Sequence, residues 1–183
     1  MQPYSFAELK GQHVLLDTDV LITLSKYAES GSVQSLVGQF RELPINPVIT
    51  QGVYFEYVRA ANSKDSINKM KNFLFEEVSA ILLPHHKDDL SSAVDVANLY
   101  QRYSKKMGGT CNASMVDCLN SAQLMRYGKN LTLLSFDIKG YPTLIHDRVG
   151  LYPLDLENMT NDTKTLATIR FSKKKYKELR ESF

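Results

Sequence analysis

Only two cysteines occur in this chain of 183 residues, Cys111 and Cys118. Seven positions apart, they would share one face of a helix, where a disulfide is not expected, and so few thiols make a reducing cytoplasm the expected compartment. Long apolar runs are missing too. The longest, near Val14 to Leu24, is interrupted by Asp17 and Asp19, so no membrane span is expected. Residues Met1 to Gly11 show no basic start followed by an apolar block, so no secretory signal is expected. There is no internal repeat, low-complexity block or long linker. Strong charge is absent as well, since a formal net charge of +2 neither requires nor opposes a nucleic-acid partner.

What is present is enough for a core. Hydrophobic residues make up 43% and charged residues 23%, the balance of an ordinary globular domain. The length suits one domain, expected over residues 1–155, with a basic C-terminal extension over 156–183 packed on it or continuous with it. Charge is uneven along the chain. From Lys164 to Phe183 there are seven basic and two acidic residues, a net of +5, which leaves −3 for the rest. A basic tail suits a phosphate-bearing partner, and it equally suits a solvated chain end.

Apolar patterning predicts alternating strands and helices. His13 to Leu16 reads as a short buried strand, and Asp17-Thr18-Asp19 offers capping side chains for a helix over Val20 to Tyr27. Gly31-Ser32 punctuates before a second helical piece over Ser32 to Arg41. Pro44 and Pro47 bracket a turn into an extended Val48-Ile49, and Thr50 is placed to cap a helix carrying Glu56. Ser63 to Glu77 has Ile67, Met70, Phe73 and Leu74 at helical spacing. Val78 to Leu83 reads as extended, His85 to Lys106 as a long helix broken by Gly108-Gly109, and Asn112 to Tyr127 as a helix ended by Gly128. Leu131 to Phe136 is a strand. Leu144 to His146, Leu151 to Leu154 and Thr165 to Phe171 are extended candidates, and Lys173 to Arg180 is a short basic helix. This alternation predicts an α/β sandwich with a mostly parallel sheet, in which ligands bind at the carboxyl ends of strands.

Four acidic residues stand out against that pattern. Asp17 closes the apolar run Val14-Leu15-Leu16, and Asp137 follows the run Leu131 to Phe136. Glu56 and Asp117 lie in apolar helical segments. A carboxylate beside a core is costly unless it is paired or holds a cation. Converging carboxylates would suit a hard divalent metal such as Mg²⁺ or Mn²⁺, which prefers oxygen ligands.

The order of these blocks resembles the PIN-domain nucleases, the group that includes the VapC-type toxins of bacterial toxin–antitoxin pairs. The resemblance covers about Val14 to Pro153. It rests on Val14-Leu15-Leu16-Asp17-Thr18-Asp19-Val20-Leu21-Ile22, on Phe55-Glu56-Tyr57-Val58, on Met115-Val116-Asp117-Cys118-Leu119-Asn120-Ser121-Ala122, and on Leu133-Leu134-Ser135-Phe136-Asp137. It implies a three-layer α/β/α sandwich and Mg²⁺- or Mn²⁺-dependent hydrolysis of RNA phosphodiesters, leaving a 5′-phosphate and a 3′-hydroxyl. Asp17, Asp117 and Asp137 are then metal ligands, and Glu56 is a ligand or a base orienting the attacking water. It also implies a small antitoxin partner and a homodimer. Two positions depart from the family pattern. Gly140 stands where an Asp often follows the last strand, and Asn120 interrupts a usually small apolar stretch.

Each residue also has a plain structural reading. Asp17 and Asp19 could serve as helix-start acids, Glu56 as a solvated residue paired with Arg59, Asp117 as a surface residue and Asp137 as a turn residue. Asp19, Ser135 and Asn120 are secondary site candidates. Lys139, Arg59, Lys173, Lys174 and Lys175 are candidates for RNA contact. His85-His86 with Asp88-Asp89 is expected to form a solvated helix start, since adjacent histidines lack zinc-site spacing. His13 and His146 are expected to be packing or surface residues, and Tyr100, Tyr103 and Tyr127 amphipathic packing residues. Two other functions compete. One is a haloacid-dehalogenase-like phosphohydrolase, with Asp17 as nucleophile and Asp19 as acid–base. The other is a non-catalytic PIN-like domain that binds RNA or protein.

Overall fold

A computed structural model describes residues 6–107, 113–156 and 163–182. Among the described residues the chain forms six strands: β1 His13–Leu16, β2 Asn46–Thr50, β3 Ile81–Leu83, β4 Leu131–Ser135, β5 His146–Asp155 and β6 Thr163–Phe171. Seven helices accompany them: α1 Thr18–Lys26, α2 Gly31–Glu42, α3 Gln51–Arg59, α4 Lys64–Asn72, α5 Lys87–Met107, α6 Met115–Tyr127 and α7 Lys173–Glu181. The strands form one mixed sheet in the order β3-β2-β1-β4-β6-β5. The first four are mutually parallel, and β6 runs antiparallel to both β4 and β5.

Apolar side chains leave both faces of the sheet, which is why the strands read as short continuous hydrophobic runs. Val14 and Leu16 of β1, Ile49 of β2 and Leu134 of β4 pack with residues of α1, α2 and α3. Leu15, Val48, Leu133 and Ile169 point the other way, into a second core with α5 and α6. The period-two alternation of a pleated strand thus feeds two cores from one sheet. This α/β arrangement is compatible with three layers. Each fully buried Leu or Val contributes about 1.5–3 kcal/mol. That is enough, summed over the two cores, to carry a few badly solvated polar groups at the edge of the sheet.

The elements depart from expectation where backbone conformation overrides apolar pattern. The helix expected over 63–77 ends as α4 at Asn72 and widens into a π-helical turn at Phe73–Glu77. No residue of α4 is buried, and the widened turn delivers both Phe73 and Leu74 to the core. The extended segment expected from Val78 shrinks to Ile81–Leu83, because Ser79 adopts a left-handed backbone conformation (φ 57°) that interrupts it. Of the piece expected over Leu144 to His146 only His146 is extended, since residues 143–145 form a turn, and it begins the ten-residue strand β5 that also contains Leu151 to Leu154. The helix with Asp117 starts at Met115, capped by Ser114. Gly108, Gly109, Cys111 and Asn112 lie outside the described residues, and Cys118 is buried on α6. β6, drawn from residues after 156, is an interior strand of the sheet.

Candidate functional site

The register brings distant residues to one end of the sheet. β1 and β4 pair from His13↔Leu131 to Leu16↔Leu134, so the residues following both strands emerge side by side. Asp17 donates its backbone N–H to the Leu134 carbonyl at 3.1 Å. On the other side of β1, β2 ends in Thr50, whose hydroxyl caps α3 by accepting from Val53 N. Carboxyl ends of three adjacent parallel strands therefore present Asp17, the helix carrying Glu56, and Ser135 to Asp137 together.

Asp17 is 5% exposed and caps α1, its Oδ1 accepting from Thr18 N at 2.8 Å. The helix-cap role is thus real, and it coexists with convergence. Burial first, then the nearby carboxylates of Asp19 and Asp117, raise the Asp17 carboxyl from 3.8 to about 7, against lowering bonds from Ser135 and Thr18. Asp19 does not simply satisfy its own helix. Its Oδ2 accepts from Asp137 N at 2.6 Å and Phe136 N at 3.0 Å, tying α1 to the loop after β4. Burial raises Asp19 to about 6 despite those bonds, and its buried Oδ1 has no hydrogen-bond partner among the described residues.

Asp117 stands in the first turn of α6. It forms a capping box with Ser114: Ser114 N donates to Asp117 Oδ2 at 2.7 Å, and Asp117 N donates to Ser114 Oγ at 3.1 Å. Burial raises its carboxyl, the bonds from Ser114 and Tyr141 lower it, and the Asp137 charge raises it further. Gly140 lies against this carboxylate: a Cβ there would stand 2.8 Å from Asp117 Oδ2. Only glycine admits that approach without displacing the acid.

Glu56 joins through a neighbour of Asp17: Thr18 donates its hydroxyl to Glu56 Oε2 at 2.8 Å. Among the described residues Glu56 forms no ion pair with Arg59, which is exposed at the end of α3. Asp137 is exposed, and its Oδ1 accepts from Lys139 N at 2.9 Å, a turn that holds the loop beside the site. Ser135 is buried between these groups, its hydroxyl accepting from Asp137 N at 3.0 Å. Asn120 is completely buried, with Nδ2 2.9 Å from the Tyr141 hydroxyl and 3.5 Å from Asp17 Oδ1. The lysines of α7 are not brought to this cluster. Phe171 falls level with the start of β4, so Lys173 and Lys174 begin at the opposite end of the sheet, both exposed. Lys175 pairs with Asp147 at 2.6 Å and donates to the His146 carbonyl, which commits it to holding α7 on β5.

Two groups were not legible beforehand. Tyr141 is fully buried with its hydroxyl among Asn120, Asp17 and Asp117, and nothing in the local pattern of Gly140-Tyr141 signals that. The start of α5 is a correction. Asp89 is 2% exposed rather than solvated, because it pairs with Arg126 at 2.9 Å and accepts from Gln123 and from His86 N. His85 is half-buried beside Gln123.

The donor set is all oxygen and poor in counter-charge, which suits a hard cation. The unpartnered, buried Asp19 Oδ1 and the burial of Asp17 point the same way. Among the described residues no three acidic, imidazole or thiolate side chains already stand close enough to ligate an ion. Compared with known proteins, the chain matches no family model and no curated protein. No helix among the described residues is long and apolar enough to cross a membrane.

Proposed function

We propose that the protein is a metal-dependent endoribonuclease with a PIN-like fold. The observation that carries this is the meeting, at the carboxyl ends of adjacent parallel strands, of acids from four separate blocks of sequence, with the most buried of them, Asp17, raised to about 7. Asp17, Asp117 and Asp137 would hold Mg²⁺ or Mn²⁺. When bound, the ion supplies a Lewis acid for a phosphate oxygen and lowers the pKa of a bound water. Thr18 orients Glu56 through Oε2, leaving Oε1 to accept a proton from the attacking water. Asp19 holds the Phe136 and Asp137 amides and so fixes the loop that carries Asp137. Exposed Lys139, next to that loop, is placed to meet RNA phosphate.

The same reading makes RNA the substrate, with a small antitoxin and a second copy of the chain as protein partners in a cytoplasmic setting. It is better supported than phosphohydrolysis, because Asp19, the acid–base that chemistry needs, is turned onto two backbone amides. The test is cleavage of single-stranded and structured RNA by the purified protein in Mg²⁺ or Mn²⁺. Cleavage is expected to stop with chelator and with Asp17→Asn or Asp117→Asn. Undiminished cleavage by either variant, or none in either metal, overturns the proposal.

A further inference from the structure

We propose that Tyr141 is a positioning residue of the carboxylate site, its hydroxyl turned by Asn120 so that it holds the Asp17 and Asp117 side chains in one orientation. The consequence for RNA cleavage rests on the function proposed above; the positioning itself does not.

The argument is one of hydrogen-bond direction. A backbone N–H can only donate, so the bond from Val53 N to Thr50 Oγ1, 3.2 Å, uses an oxygen lone pair. The Thr50 hydroxyl proton then goes to Asn120 Oδ1 at 3.1 Å. That fixes which end of the Asn120 amide faces the site: its Nδ2 donates to the Tyr141 oxygen at 2.9 Å. The single hydroxyl proton of Tyr141 is left for the Asp17–Asp117 carboxylate pair: both charges act on the buried hydroxyl, and Asp17 Oδ1 lies 3.5 Å from the same Asn120 Nδ2. A chain that starts at the cap of α3 therefore ends on the acids of α1 and α6.

Every link is immobilised. Thr50, Asn120 and Tyr141 are fully buried. The Tyr141 ring packs edge-on to His146, centroids 5.7 Å apart and planes at 80°. Its neighbour Gly140 lies under Asp117 with no room for a side chain. Residues 140 and 141 thus support the acid from one side with bare backbone and a directed hydroxyl. Groups that orient ligating side chains commonly change metal affinity or activity by about 10- to 100-fold when removed.

Tyr141→Phe keeps the ring and removes only the hydroxyl. The experiment compares it with the wild type in three ways: circular dichroism, Mn²⁺ titration by calorimetry, and the Asp117 carboxyl-carbon NMR signal of the metal-free protein at one fixed alkaline pH. The fold is expected to be retained, Mn²⁺ affinity to fall about tenfold, and the Asp117 signal to move. In RNA cleavage kcat should fall with KM unchanged. An Asp117 signal that stays in place with unchanged Mn²⁺ affinity overturns the inference. Should Tyr141→Phe not fold, Asn120→Ala decides on the same readouts, because it leaves the hydroxyl undirected. A wild-type protein that binds no Mn²⁺ and cleaves no RNA sinks the nuclease proposal alone, and the NMR comparison still judges Tyr141.

Discussion

Asp19 accepts the backbone N–H of Asp137 at 2.6 Å across 118 positions of sequence. A residue in the first turn of a helix thereby fixes a loop on a different element, and the same oxygen also takes the Phe136 amide. Asp19→Ala strands both amides at a partly buried site. It is expected to lower stability by roughly 1–3 kcal/mol in urea unfolding, and to lower RNA cleavage by releasing Asp137. Asp19→Asn, which keeps an acceptor oxygen, should lose much less stability.

The raised Asp17 carboxyl predicts how the metal-free protein responds to pH. Its folded pKa, about 7, lies above the ordinary 3.8, so the fold binds the proton more tightly than the unfolded chain does. Its unfavourable effect is therefore absent below about pH 4 and grows as pH rises toward 7, on the order of 4 kcal/mol at full extent. His146, lowered to about 4 chiefly by burial, acts oppositely: its contribution is present above pH 6.5 and lost as pH falls toward 4. Comparing wild type with Asp17→Asn isolates the acid. The variant should melt higher at neutral pH without metal, and the gap should close toward pH 4 and on addition of Mg²⁺. A gap independent of pH would remove the basis of this prediction.

Gly140→Ala is expected to leave the fold intact while displacing Asp117, since the added Cβ would stand 2.8 Å from its Oδ2. Mn²⁺ affinity and kcat should both fall, by about tenfold. Calorimetry and single-turnover cleavage check this.

The pairing of Arg126 with Asp89 concerns stability rather than chemistry. Asp89 is 2% exposed and joins α5 to α6 through Arg126 and Gln123. Arg126→Met removes the counter-charge and leaves a buried carboxylate, at a cost of roughly 3 kcal/mol. Urea unfolding at neutral pH should show it.

Much of the fold is legible in the chain because its inner strands are covered on both faces. Val14-Leu15-Leu16 and Leu131 to Leu134 read as strands for that reason, and Thr50 marks a helix start through local capping chemistry. β5 is less legible because half of it is exposed and Gly150 interrupts its pattern at the shift in register with β6. The end of α4 and the start of β3 depend on a π-helical turn and on Ser79, neither of which leaves a periodic signal. In the site, Asp17, Asp117, Asp137 and Glu56 stand out as acids set in apolar surroundings. Tyr141 does not, because its role comes from the approach of one loop to another helix. Asp89 misled through its histidine neighbours, since its partner lies 37 residues away.

Placing β6 between β4 and β5 has a consequence for synthesis on the ribosome. β4, which leads into Ser135 and Asp137, remains a bare sheet edge until residues 167–169 have been translated and have folded back against it. Such an edge is open to pairing with other nascent chains. A protein of this design completes its acidic cluster only after β6 has docked on β4, so a ribosome stalled before that point would display an incomplete, aggregation-prone intermediate.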